Sequence, residues 1–177
     1  HAAMIKYGLR AYASLGLTPE RVLRSLDRLY LENNAFEVQD SFASVFFGQI
    51  DPSRRLFTYA SAAHQPVVLA SPRGEIRILD ITAPLVGVFD DQHHLFKQRF
   101  VEIEPGSMLV ATTDGITEAR NDRGEFYGMD RLVEFVRASH DLDEKEVAHR
   151  LLIDAETFSG GRRRDDIAII AVRFHAS

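Results

Sequence analysis

The sequence has no cysteine. Disulfides, thiolate metal sites and thiol nucleophiles are therefore all excluded, and the chain suits a reducing compartment. It also has no excess of positive charge. The formal net charge is −5, which argues against binding nucleic acid by neutralising its phosphates. There is no uninterrupted apolar stretch long enough to cross a bilayer and no signal peptide, so a cytoplasmic, membrane-free protein is expected. What is present is ordinary for a globular domain: 177 residues, 45% of them hydrophobic and 27% charged, enough to bury one core.

Periodicity changes along the chain. Ile5, Leu9, Tyr12 and Ala13 fall at helical spacing as far as Gly16, and the sequence opens inside that pattern without an initiator methionine. Thr18 and Pro19 then supply an N-cap and a first-turn proline. Val22, Leu23, Leu26, Leu29 and Tyr30 continue a second amphipathic helix to Asn33 and Asn34. Strand patterns follow at Phe42–Ile50, Leu56–Ala60, Val67–Ala70, Glu75–Leu79, Phe96–Ile103 and Ser107–Thr113. Two more helices carry Leu132 to Val136 and Val147 to Phe158, and a closing strand runs from Ile167 to Phe174. Helices and strands that segregate in this way indicate an α+β fold, not an alternating βαβ sheet. Phe42, Phe46, Phe47 and Phe57 read as core.

Chemistry concentrates in carboxylates at two strand ends. Asp114, followed by Gly115, ends the apolar run Met108–Thr113, and Asp165 and Asp166 precede the last strand. If those strands are antiparallel neighbours, three carboxylates share one edge. Like charges so placed call for a cation, and hard divalent ions prefer oxygen ligands. Alone, each motif also fits an exposed turn, since Asp-Gly is common turn chemistry. A haloacid-dehalogenase phosphatase is a second reading of Asp-Gly, but Thr112 stands where its nucleophilic aspartate would be.

Several stretches together resemble the stage II sporulation E type of serine/threonine phosphatase, the bacterial branch of the metal-dependent type 2C enzymes. These are Thr113 to Asn121 with Gly124 to Gly128 behind them, Phe57 to Pro66, and Arg164 to Ala168. The resemblance covers nearly the whole chain, 1–177, as one phosphatase-type domain. It implies a sandwich of two antiparallel sheets flanked by helices, with two Mn²⁺ or Mg²⁺ ions at one edge. Asp114 and Asp165 match metal-ligating aspartates, and Gly115, Asp166 and His64 match supporting positions. No catalytic residue is implied beyond metal-bound water. Arg164 is a candidate phosphate or substrate contact, although the run Arg162–Arg164 also fits a solvated loop. His93 and His94, adjacent in sequence, would point to opposite faces of a strand and form no ligand pair.

The implied activity is dephosphorylation of a regulatory phosphoprotein of the anti-sigma-factor-antagonist type in a partner-switching pathway. An upstream sensor or receiver domain is implied in the parent protein, and a homodimer is open. The sequence departs from the family pattern in three ways. The first metal motif, Asp-x-x-Gly-x-Gly, and the strands around it are not in this sequence. Ser61 and Ala63 stand where Asn and Gly are usual, and Ala168 replaces a Thr. A catalytically incompetent docking or regulatory module is the alternative reading.

Overall fold

A computed structural model describes residues 2–34, 42–88, 95–162 and 165–175. The chain divides into two compact units, residues 1–64 with 80–102, and residues 65–79 with 103–177.

The first unit contains α1 (Ala2–Ser14), α2 (Pro19–Asn34), β1 (Val45–Asp51), β2 (Leu56–Ala62) and β5 (Arg99–Glu102). Its sheet has the order β1-β2-β5, antiparallel throughout. Proline begins α2 as expected, and the Val22 N–H closes the first turn on the Thr18 carbonyl at 2.9 Å. Leu23, Leu26 and Tyr30 recur at helical spacing and bury against Val45, Ala60 and Ala62 of the sheet. Helix α1 packs Met4, Ile5, Leu9 and Tyr12 onto the same cluster. Asp27 is buried on α2, where its carboxylate accepts the Gly87 N–H at 2.8 Å.

On the sheet itself Phe46, Phe57 and Tyr59 stack with centroids 5.5–6.4 Å apart. Gly48 makes room for this stack, since a Cβ there would meet Phe57 Cζ at 2.3 Å. Phe57 is core as expected, and Phe46 and Phe47 are half-buried. Phe42 is not core. It lies ahead of β1, outside the strand that buries its neighbours, and is 63% exposed.

The second unit holds β3 (Val67–Ala70), β4 (Ile76–Leu79), β6 (Met108–Thr112), α3 (Asp114–Thr117), α4 (Gly128–Ala138), α5 (Glu144–Phe158) and β7 (Ile169–Arg173). Its antiparallel sheet has the order β4-β3-β6-β7. Val68, Ala70, Met108 and Val110 alternate on one sheet face and bury against Leu132 and Val136 of α4 and Val147, Leu151 and Ala155 of α5. Asp143 caps α5 by accepting the Glu146 N–H at 2.7 Å. The guanidinium of Arg173 donates to the carbonyls of Gly106 (2.8 Å), His140 (3.1 Å) and Leu142, and so satisfies the chain where it leaves α4. Two antiparallel sheets with helices give the α+β class read from the sequence. The short α3 is an element that the periodicity does not predict, and β5 is shorter than its apolar pattern.

Candidate metal centre

Strands β6 and β7 pair antiparallel with Thr112 opposite Ile169. The C-terminal end of one therefore lies beside the N-terminal approach to the other, as the sequence pattern required for its carboxylates to meet. The ladder runs one residue past the strands, where the Thr113 N–H donates to the Ala168 carbonyl at 3.0 Å.

Here the chain changes from strand to helix. The Thr113 carbonyl accepts the Ile116 N–H at 3.3 Å and opens α3, whose single turn is closed by Glu118 N–H on the Asp114 carbonyl at 2.7 Å. The Thr113 hydroxyl accepts the Ala168 N–H at 2.9 Å and donates to the Asp166 carbonyl at 2.9 Å. Gly115 packs directly on the same segment, where a Cβ would lie 2.6 Å from the Asp166 carbonyl oxygen and 3.0 Å from Ile167 Cγ1. Only a residue without a side chain fits this approach. Thr117, buried behind the turn, donates to Gln65 Oε1 at 2.6 Å.

Asp114, Asp165 and Asp166 are exposed at this edge. The Asp114 carboxylate forms no hydrogen bond with another described residue, and Thr113 caps α3 without a side-chain bond. One oxygen of Asp165 accepts the Asp166 N–H at 2.8 Å. Asp166 meets its neighbours through its backbone, as donor to Asp165 and acceptor from Thr113. Gly115 and Asp165 line one cleft of about 190 Å³. Asp165 and Asp166 also border a wider, open depression of about 870 Å³ beside His149.

These donors suit a hard divalent ion. Such ions bind through one or two carboxylates and keep most of their water, which exposed oxygen ligands permit. Among the described residues no group of three or more His, Cys, Asp or Glu is arranged to hold a metal. The present donors thus fit one hydrated ion and not a closed cage.

The other positions singled out from the sequence behave differently. His64 follows β2 in the first unit, its ring tilted against Phe46 at 6.1 Å. Arg162 pairs with Asp122. Arg164, His93 and His94 lie outside the described residues. Sequence reasoning missed Thr113 as more than a strand residue. The available signal was a hydroxyl directly before Asp-Gly, but its partners are 53 and 55 residues away.

Comparison with known proteins places these features in context. The family described as Stage II sporulation protein E (SpoIIE) matches residues 1–175. Protein IcfG of Synechocystis sp. is 35% identical over 133 residues, covering 74% of this chain and 20% of that protein. Phosphoserine phosphatase RsbU of Bacillus subtilis is 27% identical over 173 residues, covering 97% of this chain and 50% of its own length. The chain thus spans half or less of these curated relatives. The solved SiaA-PP2C domain of Pseudomonas aeruginosa superposes with a TM-score of 0.81 at 21% identity, covering 97% of this chain and 66% of that one. This likeness shows the type 2C phosphatase fold. Among the described residues no helix is long and apolar enough to cross a membrane. With its whole length matched and its fold shared, the chain belongs to the stage II sporulation protein E family of phosphatase domains.

Proposed function

We propose that this domain serves as a metal-dependent protein serine/threonine phosphatase acting on a regulatory phosphoprotein of the anti-sigma-factor-antagonist type. The observation that carries the reading is the edge formed by Thr113–Gly115 and Asp165–Ala168, where two segments that each carry exposed carboxylates are tied together through backbone and the Thr113 hydroxyl. Family membership and the name of RsbU support the reaction class. Asp114 and Asp165 would hold Mn²⁺ or Mg²⁺, with Gly115 and Asp166 supporting them through backbone packing. Bound there, the ions supply Lewis-acid activation of water and neutralise charge on the phosphoryl group. The chain's own residues hold the carboxylates in register, leave the edge open to a protein substrate, and keep side chains out of the approach at Gly115. In the net reaction water displaces the serine or threonine oxygen from phosphorus, giving inorganic phosphate and a free hydroxyl.

The full set of ligands in this reading includes a bridging carboxylate from an Asp-x-x-Gly-x-Gly motif. Residues 1–177 alone are therefore expected to take up at most one ion, loosely. Regulation by a sensor or receiver domain, with His64 and Arg164 as supporting and substrate contacts, belongs to the same proposal. The test is phosphate release from a phosphoserine protein by the natural full-length chain. Activity should require Mn²⁺ or Mg²⁺, stop with chelator, and fall on the order of 100-fold or more in Asp114→Asn, because an amide lacks the charge that holds the ion. Full turnover in chelator, or in Asp114→Asn, would exclude this mechanism. Metal uptake without any turnover would leave the docking module as the function.

A further inference from the structure

The geometry points to Thr113 as a positioning residue of the metal centre: its hydroxyl takes the place of its own carbonyl in the β6–β7 ladder and thereby fixes Asp114 against Asp165. This rests on the reading of that edge as a metal site.

In an antiparallel ladder opposed residues alternate between pairs that exchange both N–H···O=C bonds and pairs that exchange none, and the Thr113 N–H bond to the Ala168 carbonyl puts this pair in the first kind. Thr113 and Ala168 exchange only one by backbone, from the Thr113 N–H to the Ala168 carbonyl. The return bond is missing because the Thr113 carbonyl has left the sheet to accept from Ile116 and start α3. The Ala168 N–H donates instead to Thr113 Oγ1 at 2.9 Å. The same oxygen spends its proton on the Asp166 carbonyl at 2.9 Å. One hydroxyl thus acts as acceptor and donor at once and ties down two points of the segment that carries Asp165 and Asp166. Asp114 is the next residue along the chain, so its separation from Asp165 is set one residue away on each side.

Valine has the shape of threonine without this chemistry. In Thr113→Val the Ala168 N–H and Asp166 carbonyl, both near the surface, can turn to water. The fold should survive while the segment loosens. A residue that only stabilised the fold would affect metal affinity and global unfolding together. A positioning residue separates them.

The test uses the natural full-length chain and two readouts: Mn²⁺ affinity by electron paramagnetic resonance titration, and amide hydrogen exchange of the segment from Asp165 to Ala168. Thr113→Val should weaken Mn²⁺ binding about tenfold, the usual scale for groups that orient ligands, and should speed exchange in that segment but not in α4 or α5. Thr113→Ser keeps the hydroxyl and should restore both readouts to within about twofold of the parent. Thr113→Ala, which removes the hydroxyl without valine's second methyl, stands in if the valine variant does not fold. Mn²⁺ affinity unchanged in Thr113→Val, or lost equally in Thr113→Ser, would overturn the inference. If the parent chain takes up no Mn²⁺, the metal reading fails by itself. The clamp is then judged by exchange alone, and equal protection in Thr113→Val and parent would refute it.

Discussion

Replacing Gly115 by alanine is the sharpest perturbation of the edge described above. Gly115 does not have the positive φ seen at Gly16 or Gly74, so alanine incurs no backbone penalty there and gains up to about 1 kcal/mol of helix propensity. Against that gain, the new Cβ would stand 2.6 Å from the Asp166 carbonyl oxygen, where ordinary contact begins at 3.4 Å. The obstacle is backbone, so no rotamer change removes it, and trimming Ile167 to alanine would relieve only the second contact. Segment 165–167 must recede by about 0.8 Å, stretching both bonds to the Thr113 hydroxyl. Overpacking of this kind costs about 1–3 kcal/mol. The net loss, about 0–2 kcal/mol once the full propensity gain is subtracted, should lower the melting temperature by up to about 8 °C for a domain of this size. Mn²⁺ affinity should fall as well, since the displaced segment carries Asp165. Calorimetric melting and a Mn²⁺ titration of Gly115→Ala beside the parent measure both. An unchanged melting temperature with unchanged affinity would show that the approach of Gly115 to Asp166 places nothing.

Other outcomes follow from individual residues. Ala63 sits at φ 48°, a left-handed conformation costing about 1–2 kcal/mol for a residue with a Cβ; Ala63→Gly should stabilise by about 0.5–1 kcal/mol after the unfolded-state entropy of glycine is subtracted. Urea denaturation showing a loss of stability would contradict it. Burial, reinforced by the bond to Asp154, holds the Tyr127 hydroxyl far above its ordinary pKa, and burial also raises Tyr30. Their contribution is complete below about pH 10, where tyrosine is neutral in both states, and is lost above it as the unfolded chain ionises first, by up to about 1.4 kcal/mol per pH unit for each. Tyr127→Phe should make the alkaline loss shallower by one such group, and an unaltered slope in denaturation midpoints between pH 10 and 11.5 would count against it.

Much of the fold was legible because local chemistry and tertiary packing agree. Thr18-Pro19 opens α2, and the apolar period of each long helix matches the face it buries. The failures occur where burial depends on what lies opposite. Phe42 has a strand-like neighbourhood yet stands outside the sheet. The apolar pattern from Phe96 to Ile103 is longer than β5, because Phe96 and Ile103 are buried without joining the ladder. A single helical turn such as α3 is too short for periodicity to reveal. Motif resemblance singled out Asp114, Gly115 and Asp165 as candidates, whereas it gave no sign of the bonds Thr113 makes, because these arise only from a register between residues far apart in sequence.

That register also decides between the two meanings of Asp-Gly at a strand end. In a surface turn the aspartate bonds its own backbone and the glycine supplies a positive φ. Neither holds at Asp114 and Gly115. The carboxylate makes no bond to a described residue, α3 begins without a side-chain cap, and the glycine is needed for room and not for handedness. The turn is held instead from the residue before, by the Thr113 hydroxyl, and from the residue behind, by Thr117 on Gln65. Supporting a strand-to-helix junction from both sides frees the residue between them from structural duty. An exposed carboxylate so freed, at the strand end next to the segment that carries Asp165 and Asp166, is available to a cation. The ligand site proposed above accounts for a carboxylate left unused, whereas a turn would have used its aspartate.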